Sequence, residues 1–437
     1  MENVLKGKDG SMKRAAWIAV FLLMTASLLP VFSVSQAQES LTETQKVFGK
    51  YSDRVVKIQV VEKDSGAKAV IGSGFFVNPD GQIITNYHVI SKLVLHQDRY
   101  RAEWVETAGE IRALSVIGVD VINDLALVKA EAMNLPFLNI ATEEPQQGMR
   151  LYSMGFPHDI GLSIVEGTYN GLMKHALYKK IHFTAPINPG MSGGPTINAS
   201  GEVVGVNVSS MGQQVSFLVP AEAVQRLLNS SGRSKAKPPD FLEDIRTQIL
   251  AHQDVFFSGN LITSGQTVRM GAYVLPGQLS PFFKCWGDSN HTEMFPYHTL
   301  NHRCSTDDYI YISGEHSSGI ISFSHRYITN EGMNPFRINN LYSKLFERSR
   351  YMPGDEEEVT PFECKSGTIA RGEVTLKTAF CARGYKKLRG LYDVVLKAAV
   401  LGSNRVGLET EMDISGISFE KAVSMSRAYL EMITWEK

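Results

Sequence analysis

Hydrophobic and polar positions alternate in short runs through the first half of the chain, and turn residues cut the runs apart. Val55-Val56-Lys57-Ile58-Gln59-Val60-Val61 reads as a strand, and Gly72-Ser73-Gly74-Phe75-Phe76-Val77 as a second. Asn78-Pro79-Asp80-Gly81 sets proline and glycine where a turn needs them, and Gln82-Ile83-Ile84-Thr85 is the return strand. Brief strands separated by Gly, Pro and Asn continue to Val219, a spacing that predicts an all-β barrel or sandwich. Pro220 then opens a helix over 221–228, with Val224, Leu227 and Leu228 on one face.

The pattern breaks at Asn229-Ser230-Ser231-Gly232-Arg233-Ser234-Lys235-Ala236-Lys237-Pro238-Pro239, which is small, polar, basic and ended by prolines, as linkers are. Beyond it a helix is expected over 240–252, carrying Phe241, Leu242, Ile245, Ile249 and Leu250. Strands are expected around 268–275, 308–312, 319–323, 372–379 and 391–401, with a hairpin turn at Gly402-Ser403-Asn404. Ser418 can cap a final helix whose Ala422, Met425, Ala428, Tyr429 and Ile433 form an apolar stripe facing the core. The acidic run Gly354-Asp355-Glu356-Glu357-Glu358 reads as a solvated loop. The expected organisation is a leader over 1–37, a β domain over 38–231, a linker over 232–240 and a smaller α+β domain over 241–437.

Composition changes this picture little. The 437 residues carry 44 Lys+Arg against 45 Asp+Glu, so no global charge argues for nucleic acid or an anionic membrane surface as a partner. The amino terminus changes it more. Lys6, Lys8, Lys13 and Arg14 precede an apolar run over 15–29, and Ser35-Gln36-Ala37 is a small-x-small cleavage signal. The run is shorter than the roughly 20 residues of a spanning helix. A cleaved export signal follows, with a periplasmic or secreted destination and no stable membrane span afterwards. All four cysteines, Cys285, Cys304, Cys364 and Cys381, lie in the last part of the chain. In an exported protein an even count suggests disulfides, and three pairings are open. The sequential one, 285 with 304 and 364 with 381, closes two short loops, each worth roughly 3 kcal/mol on the chain-entropy model. The absence of C-x-x-C spacing gives no metal site to propose, and His302 beside Cys304 reads as a surface residue.

Candidate chemistry lies in three places. Thr85-Asn86-Tyr87-His88-Val89-Ile90 holds a histidine at a strand end, Asp124-Leu125-Ala126-Leu127-Val128 opens on an aspartate, and Asn188-Pro189-Gly190-Met191-Ser192-Gly193-Gly194-Pro195 sets a serine among glycines. A serine hydroxyl needs a base to take its proton, and the base needs an orienting carboxylate. Ser192 is the expected nucleophile, His88 the base and Asp124 the orienter, with Asp120 a nearby competitor. The backbone N–H groups of Gly190 and Ser192 are the expected oxyanion donors, because Gly190 supplies the freedom that such a turn demands. Gly193 and Gly194 keep side chains from crowding the substrate.

These blocks, with Gly201-Glu202-Val203-Val204-Gly205-Val206-Asn207 and Phe217-Leu218-Val219-Pro220-Ala221, resemble the trypsin-like serine proteases of the HtrA (protease Do) type over about residues 72–219. The resemblance implies a double β-barrel and a serine endopeptidase acting on proteins or peptides by a Ser-His-Asp triad, without a cofactor. It says nothing of 240–437. Met191 stands where the family commonly has asparagine, and neither a PDZ domain nor a G-L-G-F carboxylate-binding loop is evident. Pro186, Ile187, Val206 and Val208 are the candidates for the pocket that receives the side chain before the scissile bond (P1). Pro186 stands where trypsin-like enzymes of basic specificity place an acid, and no Asp or Glu occurs between Thr184 and Ser192, so a small or medium apolar P1 residue is expected. The alternative is a low-turnover chaperone or binding module on the protease fold, targeted by a partner-binding C-terminal domain.

Overall fold

The computed structural model describes residues 41–436 apart from 107–108, 213, 232–239, 258–264, 291–295, 331, 348–353 and 403–405. The expected leader, most of the expected linker and part of the 402–404 turn lie outside the described residues. Helix α1 (Glu43–Tyr51) leads into strands β1 (Val55–Glu62), β2 (Lys68–Phe76) and β3 (Gln82–Thr85). Helix α2 (Tyr87–Leu95) follows, then β4 (Tyr100–Val105), β5 (Ile111–Asp120) and β6 (Leu125–Ala130). These strands close a barrel in the order β1-β2-β3-β6-β5-β4. The expected strands over 55–61, 72–77 and 82–85 are β1, β2 and β3. Helix α2 was not expected, since its run Tyr87-His88-Val89-Ile90 reads as well for a strand.

A second barrel is built from β7 (Asn139–Ile140), β8 (Arg150–Gly155), β9 (Ser163–Leu172), β10 (Ile181–Phe183), β11 (Pro195–Ile197), β12 (Glu202–Ser210) and β13 (Ser216–Pro220). The order is β11-β8-β9-β10-β13-β12-β7, and a β11–β12 pairing closes six of the strands into a ring, with β7 added in parallel to β12. This is the expected double barrel. Closure removes the sheet edges that would otherwise pair with other chains.

Helix α3 (Ala221–Ser231) ends the second barrel, and α4 (Phe241–Phe257) resumes after the linker. Phe241, Ile245 and Ile249 of α4 are buried in the core of the first barrel, with Val119 and Val121. Gln248 fastens the contact: its amide donates to the Val119 carbonyl at 2.9 Å and its oxygen accepts from the Val121 N–H at 2.9 Å. Strands β14 (Thr267–Met270) and β15 (Tyr273–Pro276) form a hairpin in place of one strand over 268–275. Gly271, at φ +61°, makes that turn.

The C-terminal module is built on one antiparallel sheet. Its strands are β16 (Phe283–Asn290), β17 (Tyr297–Thr306), β20 (Ile321–Asn330), β21 (Glu363–Arg371), β22 (Val374–Gly384), β23 (Leu391–Leu401) and β24 (Val406–Ser418), in the order β16-β17-β20-β24-β23-β22-β21. The short pair β18 (Ile310–Tyr311) and β19 (Ser317–Ser318), helices α5 (Pro335–Glu347) and α6 (Phe419–Glu431), and β25 (Thr434–Trp435) complete it. Ser418 caps α6 by accepting from the Lys421 N–H, and Ala422, Met425 and Tyr429 are buried, as the apolar stripe requires. Both cysteine pairs have the sequential connectivity. Cys285 on β16 is bonded to Cys304, its register partner on β17, and Cys364 on β21 to Cys381 on β22. Cys285, His302 and Cys304 lie together, but a disulfide sulfur is not a thiolate ligand.

The module packs on the first barrel. Ile310, Ile312, Val359, Tyr385 and Leu388 share one continuous apolar core with Tyr87, Ile90 and Val94 of α2. The Tyr87 hydroxyl donates to the Ile312 carbonyl at 3.0 Å, and Lys387 Nζ donates to the Leu95 carbonyl at 2.7 Å. Glu358, expected in a solvated loop, accepts from the Ser313 hydroxyl at 2.6 Å and lies 3.7 Å from His96, beside this contact.

Candidate active site

Strand β3 ends at Thr85, and the chain turns at once into α2, which puts His88 in the first helical turn. The turn is held by the loop that precedes β6. Asp124 has φ 52°, a left-handed conformation that aspartate tolerates better than most residues. Its carbonyl accepts from the Tyr87 N–H at 3.1 Å and from the Asn86 amide at 2.8 Å. Its carboxylate accepts from the His88 backbone N–H at 2.9 Å through one oxygen, and the other lies 2.6 Å from His88 Nδ1. With Asp124 ionised, Nδ1 carries the proton and Nε2 is left as the basic nitrogen. Burial pushes the imidazole pKa down, but the charge and hydrogen bond of Asp124 more than offset this and hold it above the ordinary value. Asp120 does not compete: it accepts from the Asn123 backbone and side chain at 3.1 and 2.8 Å, and so caps a turn.

The serine loop is docked between the two barrels. The Ser192 carbonyl accepts from the Ser73 N–H at 2.8 Å, and the Gly193 N–H donates to the Asn207 carbonyl at 2.9 Å. Gly193 has φ +83°, and a Cβ there would stand 2.3 Å from the Ser73 carbonyl oxygen and 2.9 Å from Asn86 N. The chain beside Ser192 is therefore pressed against the segment that carries His88. The crowding at Gly193 comes from backbone of the first barrel, and a Cβ at Gly194 would meet the Met154 carbonyl at 2.2 Å. Gly193 thus lets the serine turn close on the first barrel, and Gly194 lets it lie against β8 of its own barrel, packing roles that stand beside the expected one of sparing the substrate. Among the described residues Ser192 makes no hydrogen bond to His88.

The 189–190 peptide is held by its oxygen. The Pro189 carbonyl accepts from the His158 N–H at 2.8 Å, and a trans peptide points its N–H the opposite way, so the Gly190 N–H faces away from His158. Among the described residues neither the Gly190 nor the Ser192 N–H has an acceptor. Gly190, at φ +96°, has no room for a side chain, because a Cβ would lie 2.3 Å from the Phe156 carbonyl oxygen. Met191 is fully buried with Leu151, Tyr169 and Phe183 in the second barrel, so its apolar side chain anchors the turn from beneath.

Sequence reasoning missed three supporting residues. The Ser73 hydroxyl donates to the Gly190 carbonyl at 2.7 Å and accepts from the Phe156 N–H at 2.9 Å. The buried Asn207 amide donates to the Met154 and Met191 carbonyls, both at 3.1 Å. Both residues lie inside matched blocks, so their polarity at buried strand positions was a usable signal. Tyr311, from the C-terminal module, sets its ring edge-on to His88 with centroids 5.8 Å apart, and no local pattern announces it. Of the P1-pocket candidates, the structure brings Val208 to the cleft that holds His88 and Asp124. Val206 and Ile187 are buried in the barrel cores, and Pro186 is exposed outside the lining of that cleft.

Two closed barrels with a His-Asp pair and a glycine-flanked serine at their junction define a trypsin-like peptidase fold. Residues 72–206 match the family model of the trypsin-like peptidase domain, and this part of the chain is such a domain. Its relatives are serine endoproteases of the DegP and HtrA type. A probable periplasmic DegP-like serine endoprotease of Chlamydia pneumoniae is 32% identical over 179 residues, 38% of this chain and 36% of that protein. The putative serine protease HhoB of Synechocystis is 32% identical over 167 residues, 36% of this chain and 39% of that one. The chain thus spans less than two-fifths of the length of these relatives. Among solved structures, the serine endoprotease from Yersinia pestis is 26% identical with a TM-score of 0.40, over 45% of this chain and 69% of that one.

Proposed function

We propose that this protein is an exported serine endopeptidase that hydrolyses peptide bonds of protein substrates in the periplasm or outside the cell. The observation that carries the reading is the bond between Asp124 and His88 Nδ1, made in the same place where the Ser192 loop docks against Asn86. In this mechanism Nε2 of His88 takes the Ser192 proton as Oγ attacks the carbonyl, then gives it to the leaving amine, while Asp124 stabilises the imidazolium. The unpaired N–H groups of Gly190 and Ser192 receive the oxyanion, and losing one such donor costs about 2.7–4 kcal/mol of transition-state stabilisation. Water repeats the attack on the acyl-enzyme with His88 again as base. The periplasmic relatives and the amino-terminal signal support export.

A fluorophosphonate probe tests the reading. Folded protein is expected to label at Ser192, and the labelling rate is expected to rise with pH through an inflection above about 6.5, because His88 must lose its proton and its pKa is held up by Asp124. Failure to label, or a rate flat from about pH 5 to 8, overturns it in favour of a protease fold kept for binding. That second reading has one observation behind it, the missing hydrogen bond between Ser192 and His88. Gaps of this kind are common in unliganded proteases and close in the substrate complex.

For P1 specificity we propose a small or medium apolar residue, since no carboxylate lies between Thr184 and Ser192 to meet a buried cation. On a panel of peptides differing only at P1, Ala, Val or Leu is expected to be cleaved faster than Arg or Lys. Preference for the basic residues sinks the proposal.

A further inference from the structure

A cleft of about 900 Å³ runs from His88 and Asp124 into the space between the second barrel and the C-terminal module. Its barrel side includes Val208 and Met211, and its far side is made by Phe282, Trp286, Tyr309 and Tyr311 of the module. We propose that these module residues are a substrate-binding wall, which receives an extended polypeptide segment rich in aromatic and large aliphatic side chains at positions remote from the scissile bond. The proposal deepens the endopeptidase reading and rests on it for the identity of the occupant as substrate.

Three observations carry it. The wall is continuous with the catalytic group, because Tyr311 abuts the His88 ring at 5.8 Å and the Tyr87 ring at 6.2 Å. Chain held at His88 therefore meets module side chains within a residue or two, at about 3.3 Å per extended residue. The wall is also apolar where it is open: Trp286 is 58% exposed, Tyr309 53% and Met211 60%, clustered in one concavity. Large apolar groups grouped this way mark binding surfaces, and aromatic rings supply most of the contact energy at such sites. Nearby charges are largely matched within the molecule, Lys180 by Asp308 at 2.8 Å, Lys284 by Asp307, and Lys179 by Glu222 at 3.0 Å. Lys174 and His175 also line the cleft, and both are exposed.

The third observation is that the wall is fixed in place. Asp308 accepts from both Lys180 Nζ and the Leu177 N–H, each at 2.8 Å, and so ties the module to the loop between β9 and β10. Trp286 follows Cys285, whose disulfide to Cys304 staples β16 to β17. Backbone held in place before binding loses little freedom when the segment binds, which favours affinity.

The test uses the full chain carrying Ser192→Ala, so that peptides bind without being cut. Two fluorescent decapeptides are compared by anisotropy, one with Phe and Leu at several positions away from the central bond, the other with Ser there. The apolar peptide is expected to bind more tightly. Adding Trp286→Ala and Tyr309→Ala is expected to weaken it roughly tenfold and to erase the preference over the serine peptide. Equal binding of the two peptides by the parent, or a preference that survives both substitutions in a protein with an unchanged melting temperature, overturns the proposal. The outcome does not depend on turnover, so a protein that fails to label at Ser192 refutes the catalytic reading alone.

Discussion

Replacing Ser192 with alanine is expected to lower kcat by about 10⁶-fold, with KM nearly unchanged. The substitution removes one oxygen and nothing that shapes the loop. The turn is held by the Ser192 carbonyl on the Ser73 N–H, by Gly193 on Asn207 and by buried Met191, and alanine retains all three. The hydroxyl makes no hydrogen bond to His88 among the described residues, so its loss leaves no buried partner unpaired there. The melting temperature should therefore stay put while hydrolysis disappears. Turnover of a peptide by purified Ser192→Ala protein, with product identified by mass spectrometry, is the check. Activity within tenfold of the parent would mean that another group is the nucleophile.

Asp124→Asn is expected to lower kcat/KM by about 10⁴-fold, again in a folded protein. Asparagine also tolerates the left-handed conformation that residue 124 adopts, and its backbone oxygen still receives the N–H of Tyr87 and the amide of Asn86. What changes is the partner of His88 Nδ1. An amide that turns its NH₂ toward the ring makes Nδ1 the acceptor, so the proton moves to Nε2, the nitrogen that must be bare to take the serine proton. The charge that holds the imidazole pKa up also goes, and burial, which pushes it down, is left unopposed. The residual activity should therefore titrate at lower pH than that of the parent. A pH–rate profile of the variant separates this from simple unfolding. Near-parental activity, or an inflection that does not move, would show that Asp124 does not orient the base. Asp120→Asn should change neither quantity by comparison, since Asp120 is engaged with Asn123.

Much of the site was legible because each part solves a local problem. A turn before β6, a strand ending three residues ahead of a histidine, and a glycine-flanked serine each demand particular residue types within a few positions. Of the three open cysteine pairings the sequential one was preferred for its short loops, and the structure has it because each pair sits in register on adjacent strands. The C-terminal sheet was less legible. Strand β24 was not expected, although Leu408, Met412 and Ile414 alternate there with Glu409, Glu411 and Asp413. Strand β16 shows no such alternation, because Lys284, Trp286, Gly287, Asp288 and Ser289 are all outward or rim positions of an edge strand with little to bury. Helix α4 was expected as the start of a separate domain, yet its apolar face lies in the core of the first barrel, a choice that its own periodicity cannot reveal.

By itself the sequence determined the first three barrel strands, the chain order of histidine, aspartate and serine, and the glycines of the serine turn. Those features follow from short-range sterics and from periodic burial, which are written within a few residues of where they act. Only the tertiary structure decided that Asp124, and not Asp120, meets His88, that Ser73 and Asn207 brace the serine loop, and that Tyr311 abuts His88 while Trp286 and Tyr309 line the cleft that opens beside it. Contacts between residues far apart in the chain depend on how whole surfaces fit when packed, and no local pattern of side chains encodes that fit.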